Sequence, residues 1–95
     1  MTRARWTRRA RADLSRIDDF NVRNDPAFAD AVGRAAIAAG DFLAEFPHAG
    51  SMLDDGERKW RVPHTDYILV YRVTNGDVEI LRAYHGREDW RRRRL

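Results

Sequence analysis

The chain has 95 residues, a net charge of +3 and no cysteine, which allows one hydrophobic core and excludes disulfides, thiolate catalysis and zinc–sulfur sites. No apolar run approaches the roughly 20 residues of a membrane span, and the basic start Met1-Thr2-Arg3-Ala4-Arg5-Trp6 lacks the apolar segment of a secretory signal. A soluble, cytoplasmic protein made of a single domain over residues 1–95 is expected.

Charge is distributed unevenly. Arginines crowd the start (Arg3, Arg5, Arg8, Arg9, Arg11, Arg16) and the end (Arg87 and Arg91 to Arg94), while Asp25 to Glu57 is acidic with Arg34 as its lone arginine. Lys59 is the only lysine, so the cations favour planar, bidentate pairing with carboxylate or phosphate. The basic ends read either as solvated surface or as a face for nucleic acid or an acidic protein segment.

In chain order, Arg3 to Trp6 reads as a short strand and Thr7 as a helix N-cap. Ala10, Leu14, Ile17 and then Phe20 or Asn21 recur at helical spacing, giving an amphipathic helix that ends near Asn24. Asp25 caps a second helix with Pro26 in its first turn. Its apolar positions are Phe28, Val32, Ala35, Ala36, Ala39, Phe42, Leu43 and Phe46, and Pro47 stops it. Gly33 and Gly40 each cost this helix roughly 1 kcal/mol relative to alanine, so packing has to support it.

His48 to Gly56 reads as a loop. Glu57 to Val62 alternates, with Arg58, Trp60 and Val62 on one face and Lys59 and Arg61 on the other. Pro63 to Asp66 is a turn. Tyr67 to Val73 is apolar on both faces and is expected at the centre of the sheet. Asn75-Gly76 is a type I′ hairpin signal, and Asp77 to Tyr84 returns as the next strand until Gly86 breaks it. The order β-α-α-β-β-β predicts an α+β fold, with an N-terminal helical hairpin packed on a small, mainly antiparallel sheet.

The last strand passes from apolar to chemically capable residues within three positions: Val78-Glu79-Ile80-Leu81-Arg82-Ala83-Tyr84-His85-Gly86-Arg87-Glu88-Asp89-Trp90. His85 at a strand end serves either as a structural hydrogen-bonding residue or as a proton-transfer group. Arg82, placed on the Ile80 and Tyr84 side, is expected to pair with Asp66, Glu57 or a partner's carboxylate. Trp60, Tyr67 and Tyr71 read as packing residues. Trp90 either folds back onto the sheet or meets a partner. His48 and His64 stand in loops without metal-ligand company, so no metal site and no cofactor is expected.

Trp6-Thr7 with Ala10 and Asp13-Leu14-Ser15-Arg16-Ile17, followed by Arg61-Val62, Ile68 to Val73 and Val78 to Arg87, resembles the RelE/ParE superfamily of bacterial toxins over nearly the whole chain. The resemblance implies the toxin of a type II toxin–antitoxin pair, with roles in growth inhibition and plasmid stabilisation. RelE- and YoeB-like members are ribosome-dependent messenger-RNA endoribonucleases, whereas ParE-like members poison DNA gyrase without a known active site. Both are neutralised by an antitoxin.

Metal-free RNA cleavage needs a base, an acid and cations around the phosphate. The candidates here are His85, Arg61, Lys59 and Arg82. Two positions depart from the ribonuclease pattern: Ile68 stands where YoeB-like enzymes carry an arginine, and Gly86 where an aromatic follows the histidine. The ParE-like branch is therefore favoured, with a ParD-like antitoxin and DNA gyrase as partners. Arg61, Arg82, Tyr84, His85, Arg87 and Trp90 are then the partner-binding candidates. The other readings are the endoribonuclease, with ribosome and messenger RNA as partners, and a non-toxic antitoxin-binding homologue.

Overall fold

The computed structural model of the chain describes residues 4–87. Thr7 is extended (φ −66°, ψ 163°) and its Oγ1 accepts from the Ala10 N–H at 3.1 Å, which caps helix α1 (Arg8–Val22) as expected. The helix buries Ala10, Asp13, Ile17 and Asn21. Of the two residues that compete for the end of this stripe, Asn21 turns inward and donates from Nδ2 to the Tyr67 hydroxyl at 3.0 Å, while Phe20 is 68% exposed.

Asp25 Oδ1 accepts from the Phe28 N–H at 3.1 Å and Pro26 opens helix α2 (Pro26–Glu45). Its inward face is Ala29, Val32, Ala36, Ala39, Gly40, Leu43 and Ala44. The phenylalanines expected in that stripe lie outside it: Phe28, Phe42 and Phe46 all remain exposed. Apart from Val32 and Leu43 these inner residues are alanine or glycine, and at Gly40 the helix approaches Trp6 closely. A Cβ built at Gly40 would stand 3.1 Å from Trp6 Cζ2, which accounts for a glycine inside a helix.

The sheet contains β1 (Arg5–Trp6), β2 (Ser51–Met52), β3 (Arg58–Arg61), β4 (Tyr67–Thr74) and β5 (Asp77–His85) in the order β1-β5-β4-β3-β2. β1 runs parallel to β5, through Arg5↔Glu79 and Trp6↔Ile80; the other pairs are antiparallel. The α+β architecture is as expected and β4 is central. Asn75 (φ 53°) and Gly76 (φ 84°) supply the two positive φ angles of the tight turn between β4 and β5.

β2 lies in the segment expected to be loop throughout. Two residues are too few to display a period-2 pattern. Its approach is held by Tyr71, whose hydroxyl donates to the Pro47 carbonyl at 2.7 Å and accepts from the Gly50 N–H at 2.9 Å. Any side chain at Gly50 would collide with Lys59 O and the Tyr71 hydroxyl, both 2.6 Å from an ideal Cβ.

Both helices pack on one face of the sheet, where Ala10, Ile17, Val32, Ala39 and Leu43 meet Val62, Tyr67, Leu69, Tyr71, Val78, Ile80 and Ala83. The far face carries a second, smaller cluster of Val70 and Tyr84 with Leu53 and Ile68. No helix among the described residues is long and apolar enough to cross a membrane.

Candidate functional site

The site begins where β1 stops. Beyond Trp6 no strand among the described residues lies beside the outer edge of β5, and Thr7 and α1 supply the missing partners. The Thr7 N–H donates to Ile80 O at 3.0 Å and its hydroxyl to Leu81 O at 3.1 Å. Asp13 Oδ2 then accepts from the Ala83 N–H at 2.9 Å. The same carboxylate, only 4% exposed, holds Arg82 by Nε–Oδ2 (2.7 Å) and Nη2–Oδ1 (3.0 Å), with Arg16 at 3.4 Å. A buried charge requires this degree of pairing.

β5 is bulged at this point. Val70 faces Arg82 and Tyr71 faces Ile80, so Leu81 has no opposite number on β4. The extra residue moves Ile80 and Tyr84 to different faces: Ile80 packs under the helices and Tyr84 on the far side. This overturns the expectation that Arg82, Ile80 and Tyr84 share a side. The expected partners of Arg82 change as well. Its carboxylate is Asp13, while Asp66 pairs with Arg61 at 3.1 Å. The Arg82 guanidinium also lies over the Tyr84 ring, 4.8 Å from its centroid.

Register and alternation sort the remaining candidates into two groups. Lys59, Val70 and Arg82 form one row across β3, β4 and β5 on the far face; Arg61, Ile68 and Tyr84 form the next. His85 faces Tyr67 on the helix side. Its ring meets Tyr67 edge-on at 5.2 Å, and its Nδ1 accepts from the Arg87 N–H at 3.1 Å, an arrangement that leaves the neutral ring's proton on Nε2. His85 opens into a notch of about 300 Å³ with Arg16, Ile17, Phe20 and Tyr67. A second notch, about 290 Å³, lies among Arg61, Asp66, Ile68, Gly86 and Arg87. Gly86 is required there, since its N–H donates to Asp66 O at 2.6 Å and a Cβ would stand 2.9 Å from that oxygen.

The structure thus brings Arg61 to Arg87, and Lys59 and Arg61 to one face, but puts His85 on the other. Tyr84 is fully buried and Arg82 largely so; Arg61 and Arg87 are exposed, and His85 partly. Trp90 and the run Arg91 to Arg94 lie outside the described residues. Farther along the far face, Glu79 sits between Arg5 and Arg72. Desolvation opposes its ionisation, but hydrogen bonds and charge from Arg72 and Arg5 prevail and hold its carboxyl below the usual carboxylate range.

Sequence reasoning did not assign Asp13 a role in this site. The available signal was an acidic residue at the inward position of an apolar helical stripe, between Ala10 and Ile17.

The chain matches the ParE_toxin family, described as the ParE toxin of the type II toxin–antitoxin system parDE, over residues 4–90. It belongs to that family. The superfamily it shares with RelE is equally visible in its relatives. Toxin RelE2 of Caulobacter vibrioides is 34% identical over 85 residues, covering 90% of this chain and 96% of the relative. Toxin RelE1 of the same organism is 32% identical over 82 residues, covering 84% and 88%.

Solved toxin–antitoxin structures share the fold. A chain of the chromosomal ParDE system from P. aeruginosa has a TM-score of 0.75 at 27% identity, covering 90% of this chain and 96% of its own. A chain of the RelBE2 toxin–antitoxin complex from Mycobacterium tuberculosis has a TM-score of 0.57 at 26% identity, covering 90% and 93%. The protein is a toxin of the type II RelE/ParE class.

Proposed function

We propose that this toxin acts by binding, with DNA gyrase as its target, and that a ParD-like antitoxin neutralises it. The observation that carries the reading is the division of the candidate residues between the two faces of the sheet. A ribonuclease of this kind needs its base and its phosphate-binding cations around one phosphate. His85 lies on the helix face, Lys59 and Arg61 on the far face, and Arg82 is committed to Asp13. Ile68 occupies the middle of the far-face row, where an arginine would serve a ribonuclease.

Arg61 and Arg87 are then the exposed members of a gripping surface, with Arg82 and Tyr84 as its internal supports, and half-exposed His85 offers a separate contact on the helix side. The family match and the ParDE and RelBE2 relatives support an antitoxin partner.

The test is a supercoiling assay with purified toxin and gyrase from the same host. Inhibition, or accumulation of cleaved DNA complex, is expected. No effect at any toxin-to-gyrase ratio removes the gyrase reading. Codon-positioned messenger-RNA cuts on translating ribosomes, lost in His85→Ala, would put the endoribonuclease in its place.

A further inference from the structure

The first turn of α1 carries Arg8, Arg9 and Arg11 and no acidic residue. The helix dipole places partial positive charge at that end, so three cations there oppose the helix rather than support it. All three residues are exposed, and no ion pair with a described carboxylate relieves them. By contrast, Glu79 holds Arg5 and Arg72, Asp13 holds Arg16 and Arg82, Asp30 holds Arg34, and Asp66 holds Arg61. The cluster on α1 is charge that the fold itself leaves unmatched.

These arginines stand on a fixed base, because Thr7 ties the start of the helix to Ile80 O and Leu81 O of β5. At about 100° per residue, Arg8 points outward, opposite buried Ala10, while Arg9 and Arg11 diverge to the two flanks. The exposed residues that follow Arg8 on the outer face, Ala12 and Ser15, are small. None of the large exposed apolar side chains lies in the first two turns of α1; the first along this helix is Phe20. A protein segment would therefore find no apolar anchor beside the arginines, and a single nucleic-acid strand no stacking platform.

We infer that the start of α1 binds the phosphate backbone of duplex DNA, without regard to sequence. A helix with its side chains is about 10–12 Å across, and the major groove of B-form DNA is about 12 Å wide. With the first turn at the groove, Arg9 and Arg11 face the phosphates of its two walls and Arg8 stands between them. Duplex RNA closes this route, because its A-form major groove is deep and narrow. The acids Asp18 and Asp19, farther along the same helix, confine the contact to its first two turns. The inference does not rest on the gyrase reading, since it concerns the toxin and DNA alone.

The full chain is titrated into a labelled DNA duplex of mixed sequence at a series of salt concentrations, with fluorescence anisotropy as the readout. Each phosphate contact contributes about −0.9 to the slope of log K against log salt. Arg8→Gln, Arg9→Gln and Arg11→Gln combined should therefore flatten that slope by about 3 and weaken binding at least about tenfold at low salt. A charge-matched control, Arg23→Gln with Arg34→Gln and Arg72→Gln, should stay within about threefold of the parent. The α1 variant should also melt no lower than the parent, because its first turn loses charge that opposes the dipole. The inference is overturned if millimolar toxin leaves the duplex unbound at low salt, or if the control loses as much affinity as the α1 variant. It is equally overturned if duplex RNA, single-stranded DNA or an oligoglutamate peptide binds the parent more tightly than duplex DNA does, or if the α1 variant melts below the parent.

Discussion

Asp13 on α1 and Arg82 on β5 are 69 positions apart and joined by two hydrogen bonds of 2.7 and 3.0 Å, while the same carboxylate takes the Ala83 amide proton. One side chain thus fixes the first helix, the β5 bulge and the orientation of the arginine. Removing it leaves a partly buried guanidinium and a buried N–H without their acceptor. Asp13→Ala should cost about 3 kcal/mol, read as a lower urea midpoint, and Asp13→Asn less because one acceptor remains. A loss below about 1 kcal/mol would mean that water replaces the carboxylate and that the bulge is held by other contacts.

The two glycines of α2 should respond in opposite ways. At Gly33 a Cβ meets no atom within 4 Å, so Gly33→Ala should stabilise by up to about 1 kcal/mol through helix propensity alone. At Gly40 the added methyl would press on the Trp6 ring at 3.1 to 3.4 Å, and that gain should be cancelled or reversed. Paired thermal melts check both. Equal stabilisation at the two sites would show that the ring moves aside freely.

Glu79 gives the stability a defined acid limb. Its carboxyl is held below the ordinary 4.5, so the ionised form contributes stability above that pH and the contribution fades as pH falls through the lowered value. Glu79→Gln should therefore be less stable than the parent near neutrality, by under about 1 kcal/mol for so exposed a pair of arginines. The difference should shrink as pH drops below 4.5. Denaturant titrations at a series of pH values test this, and a difference that stays constant with pH would count against it.

His85 separates binding from catalysis. Loss of a general base costs about 10²- to 10⁴-fold in rate. If toxicity comes from binding, His85→Gln should inhibit growth within about threefold of the parent, since one side chain at the margin of an interface contributes little. Growth on graded induction without antitoxin provides the measurement. Abolished toxicity, with folding and antitoxin binding intact, would argue for chemistry at the histidine.

The parts of the fold legible in the sequence are those set by local chemistry. Thr7 and Asp25 cap, Asn75 and Gly76 turn, and the run from Tyr67 to Tyr71 is buried or half-buried on both faces because it is continuously apolar. What escaped was set by contacts distant in sequence. The bulge at Leu81 leaves no mark on the alternation of Val78 to Tyr84, because it depends on Asp13 drawing Arg82 and Ala83 to the sheet edge. Phe28, Phe42 and Phe46 fit a helical stripe, yet the inner positions go to alanines, Gly40, Val32 and Leu43, and the ring of Trp6 stands against Gly40. The division of His85 from Lys59 and Arg61 follows from strand register, which no single segment contains.

The parallel pairing of β1 with β5 has a consequence for synthesis in the cell. Arg5 and Trp6 find their strand partners at Glu79 and Ile80, and the anchor of α1 lies at Arg82 and Ala83. A nascent chain that has released both helices still lacks the residues that hold them to the sheet. The toxin therefore matures only after residue 85 has cleared the ribosome, and long-range pairing of this kind is slow to form. That interval gives an already present antitoxin an incomplete domain to meet before a finished one.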